Sequence, residues 1–259
     1  MNIKTMIFTA TLILCSGFAF AQPKVIAHRG FWKTGGSAQN SIASLVKADS
    51  IGCYGSEFDV WLSKDDVPVV NHDPIFKGSI MQKSTSKKLA KVKLDNGEPL
   101  PTLKAYLEKA LEHPDIELIL ELKSHSTPER ETQAAKMIVE MVKEYGLKNR
   151  IQYIAFSLHA TKEFIRLAPV GTPVYYLNGE LSPKQLKEIG CAGLDYNLGV
   201  IRKNPGWIKE AHDLGLKVNV WTVNKEKDME WLIAQGADFI TTNEPVMLQE
   251  LIKKSSNNK

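Results

Sequence analysis

Short apolar runs alternate with amphipathic stretches eight times along the chain. Segments 24–28, 56–60, 117–123, 151–156, 174–177, 193–197, 217–221 and 239–242 are brief and rich in Val, Ile, Leu and Tyr, as buried strands are. Between them the apolar positions shift to helical spacing: Ile42, Leu45 and Val46 share one face of a helix over 40–51, which Gly52 stops. Further helices are predicted over 102–111, 128–145, 160–167, 183–189, 205–214, 225–235 and 245–254. Proline stands at the start of several of them and Gly146 follows the longest, as helix start and stop chemistry prefers. Eight β/α units in a chain of 259 residues predict an α/β fold, a TIM (β/α)8 barrel. A doubly wound open sheet is the alternative. It usually has fewer strands and wants a glycine-rich phosphate loop, which this chain lacks.

Two interruptions follow the second strand. Segment 61–70 reads as a small β excursion turning at Lys64, Asp65 and Asp66. Segment 74–100 reads as an irregular insertion, and its lysines (Lys83, Lys87, Lys88, Lys91 and Lys93) as a solvated face.

The first 21 residues read as an export signal. Lys4 supplies the charge, Met6 to Leu14 the apolar stretch, and Ala19-Phe20-Ala21 a small-residue cleavage site before Gln22. Segment 22–259 is then a single barrel domain, periplasmic or secreted. Lipidation at Cys15 is disfavoured because Leu14 stands where a small residue is wanted. Removing the signal leaves 32 basic against 29 acidic residues, too mild an excess to suggest nucleic acid. No second apolar run is long enough for membrane insertion, and no protein partner is evident. Cys53 and Cys191 precede strands on opposite sides of the predicted barrel, so two free buried thiols are expected.

The barrel assigns places to the charged residues, because side chains two apart on a strand share a face and barrel sites lie where strands end. Glu57 and Asp59 both point into the barrel mouth, with Phe58 and Val60 outward. Glu121 and Lys123 repeat the pattern on the next strand, while His28 closes the first strand and His72-Asp73 follows the excursion. Three converging carboxylates repel one another in a partly dry cavity, so their proton affinities rise or a cation sits among them. The cation is the simpler answer. With oxygen ligands alone it would be one hard divalent ion, Mg²⁺ or Ca²⁺.

At these residues the chain resembles the glycerophosphodiester phosphodiesterase family. The matching pieces are His28-Arg29-Gly30, Gln39-Asn40-Ser41, Glu57-x-Asp59, His72-Asp73, Leu100-Pro101-Thr102-Leu103, Glu121-x-Lys123, Trp221-Thr222-Val223-Asn224 and the run from Gly236 to Pro245. The resemblance implies metal-dependent hydrolysis of a small-molecule glycerophosphodiester to glycerol 3-phosphate and an alcohol, through a cyclic phosphate. It further implies Glu57, Asp59 and Glu121 as metal ligands, His28 and His72 as the acid/base pair, and Arg29 and Lys123 as phosphate contacts. Trp221 ends the seventh strand with an apolar face available to the glycerol. Gln39 stands where the family usually has Glu. It keeps a hydrogen-bonding group for substrate or water but removes a negative charge.

Other readings stay open at this stage. A catalytically silent member would bind the diester without cutting it. A barrel glycosidase would use Glu57 and Glu121 as paired carboxylates, although it has no need of the Arg29 and Lys123 anion clamp. Phe31, Trp32 and Trp61 either wall a headgroup pocket or pack. His125 and His159 are expected to be peripheral and solvated, and His113 and His212 to lie at the surface.

Overall fold

The computed structural model of the protein describes residues 21–257. The predicted export signal, apart from Ala21, lies outside the described residues.

Eight parallel strands close into a barrel. In chain order they are β1 (Lys24–Ala27), β2 (Gly55–Leu62), β6 (Glu117–Leu122), β7 (Ile151–Ala155), β8 (Val174–Tyr176), β9 (Gly193–Asn197), β10 (Lys217–Trp221) and β11 (Phe239–Thr242). Each pairs with the next, and β1 closes the ring by pairing with both β2 and β11. The numbering gap between β2 and β6 is the predicted excursion and insertion. Here β3 (Pro68–Val70) runs back antiparallel on β2, and β4 (Ile75–Phe76) and β5 (Ser79–Ile80) form a small hairpin.

Helices α1 (Ile42–Ser50), α3 (Leu103–Leu111), α4 (Pro128–Glu144), α5 (Leu158–Leu167), α6 (Pro183–Ile189), α8 (Trp207–Asp213), α9 (Glu226–Gln235) and α10 (Pro245–Asn257) follow the prediction to within a few residues at each end. Side-chain caps explain many of the starts: Ser41, Thr102, Thr127, Ser157 and Ser182 each accept a backbone N–H from the first turn, worth about 1 kcal/mol apiece. Two short helices go beyond the prediction. These are α2 (Ser86–Leu89) inside the insertion and α7 (Leu198–Lys203) directly after β9. The insertion is also less irregular than its sequence suggests. Met81, Leu89 and Leu100 bury themselves with Trp61 and Val69 in a satellite core, while the five lysines stay exposed as expected.

Two apolar layers result. Outward-facing strand residues pack on the helices; Phe58 stacks on Tyr106 of α3 at 4.3 Å, and its burial contributes about 2 kcal/mol. Inward-facing Ile26, Ile119, Ile154, Tyr175, Leu177 and Phe239 fill the barrel. Gly193 lets β9 and β10 approach, since a Cβ there would lie 2.0 Å from the Lys217 carbonyl oxygen. Cys53 and Cys191 are both free and buried. No helix among the described residues is long and apolar enough to cross a membrane.

Candidate active site

Strand parity delivers Glu57, Asp59 and Glu121 to the mouth of the barrel, because Asp59 and Glu121 are register partners on adjacent strands. One carboxylate oxygen from each lies within 4.8 Å of the others, and all three residues are buried. Neighbouring groups treat the three differently. Burial, then Asp59 and Glu121, push the Glu57 carboxyl well above its usual range. Burial and Asp59 push Glu121 up to about 8 against the opposing pull of Lys123. Burial also acts against the Asp59 carboxylate, but Lys123, His72, Arg29 and a hydrogen bond from Asn40 outweigh it and hold Asp59 below its ordinary value. Lys123 Nζ stands 2.7 Å from Glu121 Oε1 and 3.3 Å from Asp59 Oδ1.

The cluster fits a divalent cation. Glu57 Oε1 is buried with no hydrogen-bond partner, a costly state for a carboxylate unless a ligand completes it. The oxygen-only donor set suits a hard ion.

Arg29, Gly30 and Asn40 adopt left-handed backbone conformations beside this cluster, with φ of +58°, +74° and +60°. Gly30 is required by contact as well as conformation, since a Cβ there would meet Ser44 Oγ at 2.3 Å. The turn aims the Arg29 N–H at Glu57 Oε2, 2.8 Å away. It also leaves Arg29 Nε buried and without a hydrogen-bond partner, 3.7 Å from Asp59 Oδ2. That N–H is available to an anion. Gln39 Oε1 accepts from Arg29 Nη1 at 2.5 Å, so Gln39 holds the guanidinium and lines an outer groove rather than the inner cavity.

Two imidazoles complete the arrangement. His28 Nδ1 donates to Asn243 Oδ1 at 2.8 Å; Trp32 Nε1 donates to the same oxygen at 3.3 Å, and Asn243 is thereby the acceptor of both. The Nδ1 proton leaves His28 Nε2 as a lone pair, 3.9 Å from Glu57 Oε2. Burial and Arg29 push His28 down to about 4, so the ring is neutral at pH 7. His72 arrives through the excursion: β3 pairs back on β2, the Asn71 N–H donates to the Asp59 carbonyl at 2.9 Å, and His72 follows. Its Nδ1 donates to Asp73 Oδ1 at 2.7 Å. Burial lowers His72, with Lys123 and Arg29 acting the same way against Asp59 and Asp73.

His28, Arg29, Glu57, His72 and Glu121 line one side of a cavity of about 100 Å³, and Ile154, Phe156, Leu177, Asp195 and Trp221 line the other. Trp221 therefore stands where its sequence position placed it. Phe31, Trp32 and Trp61 do not line this cavity. Phe31 packs on the outer core and Trp61 on the insertion, from where its Nε1 donates to the His72 carbonyl at 3.2 Å.

The expectation of a solvated His125 is corrected. Its Nδ1 donates to the Lys123 carbonyl at 2.6 Å and its Nε2 accepts the Leu62 N–H at 2.9 Å, tying together the ends of β2 and β6. Burial pushes it down to about 4, which keeps the acceptor nitrogen unprotonated. His159 is exposed and bonded to Thr132, while His113 and His212 pair with Asp49 and Asp238 away from the cavity.

Three site residues have no individual role assigned by the sequence pattern. Asn40 donates to Asp59 Oδ2 at 2.8 Å and accepts the Asp59 N–H at 3.1 Å, Asn243 orients His28, and Asp195 faces the cavity from β9. Asn40 and Asn243 lie within family-like segments, but their partners are 19 and 215 residues away.

Comparison with known proteins finds relatives that span nearly the whole barrel. Residues 28–247 match the glycerophosphoryl diester phosphodiesterase family. A glycerophosphodiester phosphodiesterase of Caldanaerobacter subterraneus is 28% identical over 247 residues, covering 89% of this chain and 98% of that one. The crystal structure of a glycerophosphodiester phosphodiesterase from Parabacteroides distasonis superposes with a TM-score of 0.89 at 52% identity, covering 91% of this chain and 98% of that one. An Oleispira antarctica phosphodiesterase, solved in complex with the product sn-glycerol-3-phosphate, superposes with a TM-score of 0.76 at 26% identity, over 90% of this chain and 97% of that one.

Proposed function

The chain belongs to the glycerophosphoryl diester phosphodiesterase family, whose members are phosphoric diester hydrolases, and from that premise we propose the reaction and the role of each residue. The reaction is hydrolysis of a glycerophosphodiester to glycerol 3-phosphate and an alcohol. The observation that carries it is one cavity lined by His28, Arg29, His72, Glu57 and Glu121, where Asp59 completes a carboxylate trio with an unsatisfied oxygen and the guanidinium offers an N–H without a hydrogen-bond partner.

Glu57, Asp59 and Glu121 hold one divalent cation, Mg²⁺ or Ca²⁺. When bound, that ion neutralises charge on the phosphate's non-bridging oxygens. Arg29 Nε and Lys123 Nζ supply further positive charge where the phosphorane charge grows. His28, neutral and with Nε2 free, takes the proton from the glycerol hydroxyl beside the phosphate as that oxygen attacks phosphorus. His72, in its doubly protonated form with Nδ1 held by Asp73, gives its other ring proton to the departing alkoxide and is left neutral. A cyclic phosphate results, and water opens it with the two histidines exchanging roles. Asn243 and Asn40 act as positioning residues for His28 and Asp59. Export by the N-terminal signal, to the periplasm or outside the cell, belongs to the same proposal; recovery of the full-length chain from the cytosol of an exporting host would argue against it.

The test is a panel of glycerophosphodiesters with choline, ethanolamine, glycerol and inositol headgroups, assayed for glycerol 3-phosphate release with wild type and His28→Ala, with EDTA and with added Mg²⁺ or Ca²⁺. Metal-dependent release by wild type alone is expected. Binding without release would support a silent family member instead, and no cleavage of any diester under any metal would defeat the enzymatic reading.

A further inference from the structure

Asp195 stands on β9 inside the barrel and faces the same cavity as the reacting groups, yet the chemistry above leaves it without a task. It is 1% exposed. Its Oδ1 accepts from Asn219 Nδ2 at 2.9 Å, and Asn219 in turn bonds to the Thr241 hydroxyl. No ion pair to Asp195 is found among the described residues, and burial pushes its carboxyl up to about 7. A carboxylate held among neutral partners is destabilising, and packing does not require one here, because an asparagine could accept the same Asn219 bond. An acid at this place is better explained by a ligand that hydrogen-bonds with it.

The shape of the site says which ligand group arrives there. A phosphodiester has two arms. The inner cavity of about 100 Å³ has room for a short polyol and is walled by Trp221, Phe156, Ile154 and Leu177. His72 also lines a second, more polar groove of about 210 Å³, together with Gln39, Asn71, Asp73 and Asp95. The smaller compartment, with its apolar wall, suits the arm that is the same in every substrate, and the larger, more polar groove suits the alcohol that varies and must leave past its proton donor. Trp221 adds an apolar face for the polyol carbons, and its Nε1 is fixed by the Asp195 carbonyl at 2.9 Å.

We propose that the inner cavity takes the glycerol arm and that Asp195 accepts a hydrogen bond from the glycerol's terminal hydroxyl, which makes it the residue that selects glycerol. The inference rests on the phosphodiesterase reading and goes beyond it by naming the residue that recognises the polyol. It also implies discrimination against diesters whose terminal hydroxyl is acylated, since acylation removes the donor.

The probe pair is glycerophosphocholine and its propane-1,2-diol counterpart, which keeps the attacking hydroxyl and lacks the terminal one. Wild type with Mg²⁺ or Ca²⁺ should prefer the glycerol compound by on the order of 10²-fold in kcat/KM, because a site built to bond a hydroxyl rejects the analogue without it. Asp195→Asn and Asp195→Leu should collapse that ratio toward a few-fold, chiefly by lowering the rate on glycerophosphocholine. The ratio is internal to each preparation, so partial misfolding cancels. A wild-type ratio near one, or variants that lose both substrates in equal proportion, would overturn the proposal. Failure of wild type on both compounds with either metal would instead overturn the phosphodiesterase reading, and this inference with it.

Discussion

Strands β1, β2 and β6, with the residues that follow them, present His28, Arg29, Glu57 and Glu121 to the cavity, backed by Asp59 and Lys123, whereas β7 to β11 face them with Ile154, Phe156, Leu177, Trp221 and one carboxylate. Both sides share one architecture and the same strand parity. Their chemistry is opposite, and each needs the other. The charged side alone would be a solvated ion cluster; the apolar side excludes water and lowers the local dielectric, so the charges act more strongly on a phosphate between them. The division predicts that substitutions on the charged side act on rate and those on the apolar side on binding.

The largest effect should follow removal of the proposed base. His28→Ala should lower kcat by about 10²- to 10⁴-fold on glycerophosphocholine with little change in KM. A loss of only a few-fold would move the proton chemistry elsewhere and dissolve the proposed division. Next in size, the carboxylate trio should bind metal independently of turnover. Saturating Mg²⁺ or Ca²⁺ at a hundredfold excess over Kd should stabilise wild type by about 2.7 kcal/mol. Glu121→Gln should reduce that shift, read by thermal melting without substrate. An unchanged shift would place the ion elsewhere.

The two sides also differ in how legible they are in the sequence. On the charged side the period of two suffices: spacing alone puts Glu57 with Asp59, and Glu121 with Lys123, on one face of a strand. Trp221 on the other side is legible because aromatic size marks it. Asp195 is not, since a lone aspartate in Gly193-Leu194-Asp195-Tyr196-Asn197 looks like any polar strand residue, and its isolation exists only in the folded barrel. Helix α7 escapes for a different reason. Six residues give too little periodicity, although Asn197 caps it by accepting the Gly199 N–H. The satellite core beneath Trp61 is hidden because its members are scattered over forty residues of the loop-like sequence from Trp61 to Leu100.

Smaller effects should sharpen the boundary. Trp221→Ala removes an apolar wall and should raise KM by about tenfold while leaving kcat within a few-fold. If kcat falls instead, the wall takes part in the transition state. Gln39→Glu restores the charge usual in the family at a group that bonds Arg29 and lies outside the inner cavity. Activity should change by no more than about threefold, below about 1 kcal/mol, because the added charge lies in the outer groove. A larger change, read as kcat/KM on glycerophosphocholine, would mean that Arg29 is tuned by charge and not only by position.

The smallest effect tests whether the second side is as dry as its lining suggests. Asp195 titrates at about 7 in the folded protein against an ordinary value of 3.8, and burial is the main cause. Between those values the folded chain retains a proton that the unfolded chain has released. The stability linked to that proton is fully present below pH 3.8 and is lost as pH rises through 7. Asparagine cannot titrate. Relative to wild type, Asp195→Asn should therefore gain in melting temperature from pH 4 to pH 8, both proteins carrying the same metal load. A difference that stays flat with pH would mean that Asp195 ionises as easily in the cavity as in water. The wall formed by β7 to β11 would then be wetted, and the charged side would owe its strength to the ions and hydrogen bonds within it.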